Sequence, residues 1–221
     1  SEHENDLPSQ LISLDMNRLE CNFNWFAKLP RTLKTLNIVY MLFVPNWLTL
    51  PPQLEELELS EIIFPTSALS QLPQSLKSLV VLEVREGARI ADDFAPLLPK
   101  NLTRFVSNGV IDHSGLQQLP TSLTDFDFTV SATHPDILSF YCPDAITIRV
   151  DGGPFSGQLN IFPFPAKLQY LELDYINDDI CAMLPHGLQT LKTYEGLITS
   201  KGSSKLPKSL TSLTARFEMF D

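Results

Sequence analysis

The chain has 221 residues, 43% of them hydrophobic and 19% charged, with 17 prolines and only 9 glycines. That balance predicts a folded protein with a core of its own rather than a disordered chain. A net charge of −10 argues against nucleic acid and anionic membrane as partners, because an acidic surface repels both. No apolar run approaches the roughly 18 residues of a spanning helix. The polar start SEHENDLPSQ lacks the basic and apolar regions of a secretory signal, so a cytoplasmic location is expected.

Taken in chain order, residues 1–6 read as a tail, and a repeating pattern then starts at Leu7. Ten units begin at Leu7, Leu29, Leu50, Leu72, Leu98, Leu119, Cys142, Phe164, Leu184 and Leu206, at intervals of 20–26 residues. Eight of them open on Leu-Pro; Cys142-Pro143 and Phe164-Pro165 are variants. Three residues after the proline stands an apolar residue, such as Leu33, Leu54, Leu123 or Ile146, and six after it another, such as Leu36, Phe105 or Phe126. The seventh unit falls out of step by one residue, so Ile148 and Val150 are expected to fill its core positions.

Leucines in an LxxLxL pattern that returns every 20–29 residues mark a leucine-rich-repeat solenoid. Each unit supplies a short strand whose alternate residues point inward, as in Leu36 and Ile38. One unit cannot bury its own leucines, whereas ten stacked units form a continuous core and a parallel sheet. The expected fold is an α/β repeat solenoid over residues 7–221, part of a longer protein. It is a horseshoe with a parallel concave sheet and an irregular or short-helical convex side. The proline of each unit is expected to end the preceding segment and set an extended lead-in to the strand.

Between the strands lie stretches such as PTSALSQ, DHSGLQQ, HPDILSF and NDDICAM. Their polar or proline-bearing starts predict turns or short helices on the convex side. Trp25 and Trp47, in matched NWF and NWL contexts, are expected to pack on that side. Cys21, Cys142 and Cys181 are scattered and odd in number, which fits reduced thiols better than a disulfide framework.

The unit LPxxLxxL resembles the short repeat of bacterial effectors of the IpaH and YopM kind. In LPQSLKSL, LPTSLTDF and LPKSLTSL it is also similar to the FNIP-like repeats of amoebae. The resemblance spans Leu7 to about Phe217 and implies an intracellular binding domain. Such repeats commonly place an asparagine eleven residues after the proline. This chain has Leu19, Met41, Ile62, Val84, Val110 and Ile176 there, which implies a more apolar convex side. Effector relatives often add a ligase domain with a Cys-x-Asp motif. Cys142-Pro143-Asp144 has that spacing but occupies a repeat slot, so no catalytic role follows.

No HExxH, GxSxG or GxxxxGK[ST] motif occurs. His3, His113, His134 and His186 fall in the tail or in different units, and the pairs Asp92-Asp93 and Asp178-Asp179 read as solvated turns. His134-Pro135-Asp136 reads as a turn as well. The chain is therefore expected to be no enzyme, with no catalytic residues, no cofactor and no metal.

Strand parity assigns the residues of the concave face. Carboxylates recur there at Asp15, Glu56, Glu58, Asp125, Asp127, Glu172 and Asp174, and basic residues gather toward Arg149, Lys192 and Arg216. Val80, Leu82 and Val106 form an apolar window with Val39 at its edge, a feature of binding surfaces. The expected partner-binding set is completed by Arg104, Tyr170 and Tyr194. The expected partner is a protein, one with a basic surface fitting best. A bacterial effector acting on a host protein in the host-cell cytoplasm is the first reading. An amoebal or protist scaffold positioning a neighbouring domain is the alternative.

Overall fold

A computed structural model describes residues 7–19, 26–41, 50–62, 66–82, 95–111, 115, 118–130, 144–151 and 164–217. Ten strands form one parallel sheet in strict chain order. They are β1 Ser13–Leu19, β2 Thr35–Met41, β3 Glu56–Ile62, β4 Ser78–Leu82, β5 Arg104–Ile111, β6 Asp125–Val130, β7 Thr147–Asp151, β8 Tyr170–Ile176, β9 Thr190–Gly196 and β10 Ser212–Thr214. The pairing is one strand per unit, so the repeat solenoid expected from the leucine spacing is the fold. Inward positions carry the core: Leu33, Leu36, Leu57, Leu79, Phe105, Phe126, Leu171 and Leu191 are all at most 1% exposed. Each such side chain contributes roughly 1.5–3 kcal/mol relative to exposure.

The proline has a different task from the one its position suggests. In nine units the leucine three residues on donates its N–H to the proline carbonyl at 3.0–3.2 Å. Proline thus stands first in a β-turn, where its missing N–H costs nothing, and the strand starts five residues after it, as Thr35 does after Pro30. Two consecutive amides after the turn then donate to one carbonyl of the unit before. Lys34 and Thr35 reach Ile12 O, and Glu55 and Glu56 reach Lys34 O. That shared acceptor recurs at every junction and sets the register.

The same marker corrects the seventh unit. Ile146 and Thr147 donate to Thr124 O, so Ala145 takes the core slot and is fully buried, while Ile146 is 39% exposed. Ile148 is buried as expected. Val150 lies on β7, but its side chain is outside the described residues.

A hydroxyl ladder ties the turns together. Thr32 Oγ1 donates within 2.9 Å of Ser9 O and Leu11 O, and Ser75 and Ser122 Oγ reach the matching carbonyls of their preceding units at 2.6–2.9 Å. Ser209 Oγ does the same with His186 O and Leu188 O, and Asn101 Nδ2 with Gln74 O. These residues stand two after the proline. They supply the side-chain-to-backbone rungs that the apolar residues Met41, Ile62, Val110 and Ile176 do not. Ser122→Ala should cost about 1 kcal/mol, read as a lower urea midpoint, with Ser122→Thr neutral because Thr32 already fills that role. An unchanged midpoint for the alanine variant would show the rung to be idle.

Among the described residues between the strands, Phe26–Lys28, Thr66–Gln71 and Ala95–Leu97 are 3₁₀ turns, and α1 Asp178–Cys181 and α2 Ser200–Ser203 are one-turn helices. Asn177 Oδ1 caps α1 through Ile180 N–H. Asp178 is no loose loop residue: it accepts from Thr199 Oγ1 at 2.6 Å and Thr199 N–H at 2.9 Å. Those two bonds hold its carboxyl below the usual range. Cys181 is buried and unpaired, and burial pushes its thiol up to about 11. Trp25, Trp47, Cys21, Cys142, Asp92, Asp93 and His134 lie outside the described residues.

Candidate functional site: the open face of the sheet

Because the strands pair in register, outward residues line up in rows across the sheet. The middle row runs Asp15, Asn37, Glu58, Val80, Val106, Asp127, Arg149, Glu172, Lys192, Thr214. Neighbouring strands stand about 4.8 Å apart, so each side chain in a row touches or faces the next. The residues assigned from the sequence to partner binding, Val39 to Tyr194, all lie on these strands, whereas Arg216 lies beyond β10; those on the strands fall into two chemically different regions.

Across β5–β9 the charges face one another, although Asp125 Oδ1 is buried without a hydrogen-bond donor. Arg104 Nε lies 3.2 Å from Asp125 Oδ2. Arg149 sits between three carboxylates: its Nη1 is 3.8 Å from Asp125 and 3.7 Å from Asp127, and its Nε is 3.8 Å from Glu172. The Arg149 guanidinium also stacks over Tyr170, 4.7 Å from the ring centroid, with Lys192 Nζ 5.4 Å from the same ring. Both phenols, Tyr170 and Tyr194, donate to Glu172 through very short hydrogen bonds. Burial opposes ionisation of Glu172, yet those phenols, Lys192 and Arg149 outweigh it and hold the carboxyl below its ordinary range. Asp127 goes the other way: burial, with Glu172 and Asp125 nearby, raises its carboxyl despite Arg149. The basic residues are therefore interleaved with the acids, not gathered at one end of the face.

Across β1–β4 the face is a groove of about 140 Å³ lined by Asp15, Asn37, Glu56, Glu58, Val80 and Arg104, among others. Val80 forms its floor at 6% exposure, so its neighbours cover it; the accessible apolar side chain is Leu82, 36% exposed. Val106 and Val39 are half-buried. The expected window is thus narrower than strand parity implied. On the turn edge below, Glu55 bridges Lys77 at 2.7 Å and Lys34 at 3.0 Å. The hydrogen bonds from those two lysines, Lys77 first, bring its carboxyl down to about 2. Glu55 and the hydroxyl ladder escaped sequence reasoning; the recurrence of Ser, Thr or Asn two after the proline is the signal for the ladder.

Among the described residues no group of three or more His, Cys, Asp or Glu could hold a metal, and no helix is long and apolar enough to cross a membrane. The arrangement offers a surface patterned with paired charges, phenols and a few apolar side chains.

One strand per unit in a single parallel sheet over a leucine core defines a leucine-rich-repeat solenoid. A solved structure described as CroV588, a novel circular leucine-rich-repeat protein, superposes with a TM-score of 0.52 at 19% identity, covering 94% of this chain and 34% of that one. The likeness is one of fold, and the chain spans about a third of that protein's length. No family model matches the chain, and no curated protein matches it.

Proposed function

We propose that the chain is a protein-interaction module that takes a protein partner on the open face of its sheet and performs no chemistry of its own. The observation that carries this reading is the braced cluster on β6–β9. There Tyr194, 53% exposed, is held by Glu172, which Tyr170 and Arg149 hold in turn. Pre-ordered tyrosine and arginine on β7–β9, with an exposed Leu82 on β4 of the same sheet, are the kinds of anchor that dominate binding energy in protein interfaces. The LPxxLxxL units support an effector acting on a host protein in the host-cell cytoplasm. The amoebal or protist scaffold reading is favoured by the LPxSL hydroxyl ladder, shared by units four, six and ten.

The test is affinity capture with the chain as bait. Leu82→Ser with Tyr194→Ala should weaken capture of the same partner about 30-fold, the loss of a hot spot of about 2 kcal/mol. Leu197→Ser, at a residue 42% exposed beyond the end of β9, should leave it unchanged. Capture indifferent to the face variants would overturn the reading.

A further inference from the structure

The two halves of the open face differ in what they still lack. On β5–β8 the carboxylates of Asp125, Asp127 and Glu172 already face Arg104 and Arg149. On β1–β3, Asp15, Glu56 and Glu58 make no ion pair among the described residues; Glu56 has only a 3.5 Å contact from the Thr35 hydroxyl. Asp15, Asn37 and Glu58 are neighbours in one row. The strand spacing puts the two carboxylate-bearing backbones about 10 Å apart with Asn37 between them. A second observation comes from Asn37 itself, whose Oδ1 is buried and has no hydrogen-bond donor; Asp125 Oδ1 on β6 also lacks a donor but has Arg149 Nη1 at 3.8 Å. Arg104 borders the same groove, but its Nε is engaged by Asp125.

A buried acceptor without a donor, with a carboxylate on either side, lacks a cationic donor. The groove, at about 140 Å³, is well below the roughly 300–1,000 Å³ of a small-molecule pocket and suits one side chain. We infer that the groove across β1–β4 receives an arginine side chain of the protein partner, carried on an extended segment. This rests on the interaction-module reading above. The planar guanidinium has five donors in a fixed fork. It can serve Asn37 Oδ1 and the carboxylates of Glu58 and Asp15 together while its aliphatic stem lies over Val80. Charge complementarity selects this occupant, because the three unpaired carboxylates repel nucleic acid and anionic lipid.

The experiment uses a blocked, fluorescently labelled Arg-Gly-Arg-Gly-Arg peptide and reads anisotropy at low and physiological salt. Glu56→Gln with Glu58→Gln should weaken binding at least tenfold, and Asn37→Ala several-fold. Asp179→Asn with Glu195→Gln, the same charge change at exposed residues away from the groove, should alter it less than twofold. Thermal midpoints confirm that each variant is folded. Equal losses from the two double variants would reduce the effect to general attraction and overturn the groove assignment, as would a wild-type chain that does not bind the peptide. Partner capture lost with Leu82→Ser and Tyr194→Ala but indifferent to the Glu56 and Glu58 variants would overturn the groove while leaving the module reading intact.

Discussion

Gly196→Ala is expected to lower the unfolding free energy by about 3 kcal/mol or more, a large effect for one added methyl group. Gly196 closes β9 at φ +88°, a region alanine rarely adopts. A Cβ there would lie 1.9 Å from Ile176 O, 2.8 Å from Ile176 N and 2.9 Å from Ile176 C. The obstacles are all backbone of the paired residue on β8, so no rotamer change relieves them; a strand must move. Tyr40 and Glu61, at the ends of β2 and β3, take φ 63° and 57°. The sharp bend at a strand end is therefore met elsewhere with side chains, at about 1–2 kcal/mol each, but without this close approach. Urea unfolding with circular dichroism reads the loss directly. A midpoint within error of wild type would mean that the β8–β9 junction yields easily and that Tyr194, two residues away, is not rigidly held.

The stacking of ten units was open to reading because burial tolerates few residue types. Leu33, Leu54, Leu76, Leu102 and Leu123 are all fully buried, and a spacing repeated that often has no other cause. The choice between Ala145 and Ile146 was not open in the same way. Hydrophobicity favours isoleucine, but the slot is counted from the backbone turn and the shared acceptor, and neither is visible in side-chain chemistry. The role of the LPxSL serines is hidden for the same reason: their acceptors are carbonyls about twenty residues earlier.

The candidate face shows the same division. Alternation along each strand was sufficient to assign Glu56, Tyr170 or Lys192 to the outer side. Which of them meet depends on register, and register places Arg149 between Asp127 and Glu172. Once the units are aligned on the strand start, the columns of the repeat predict those neighbours. Burial of Val80 depends instead on how far the longer side chains around it reach. Among the described residues, the carboxylates of one region of the face are ion-paired, and those of the other are not.

Phe126→Ala should destabilise the protein by about 3–5 kcal/mol. Phe126 is 1% exposed and stands on β6 in register with Phe105 and Ile148, near the middle of the array. In a solenoid each unit contacts only its neighbours, so stability is a sum of unit and interface terms. A cavity in a central unit weakens two interfaces at once. The urea transition is then expected to broaden or split, with β1–β5 and β7–β10 losing their cooperation. Leu213→Ala, at a residue already 38% exposed on β10, should cost less than about 1 kcal/mol and leave the transition sharp. Phe126→Leu, which keeps most of the volume, should cost only about 1–1.5 kcal/mol. Phe126 also lies between Asp125 and Asp127, so a shift of β6 moves both carboxylates that Arg149 bridges. Weaker capture by Phe126→Ala under conditions where it is still folded would show that the core beneath the face positions the cluster above it. A sharp transition with a loss below about 1 kcal/mol would show that neighbouring units repack around the gap.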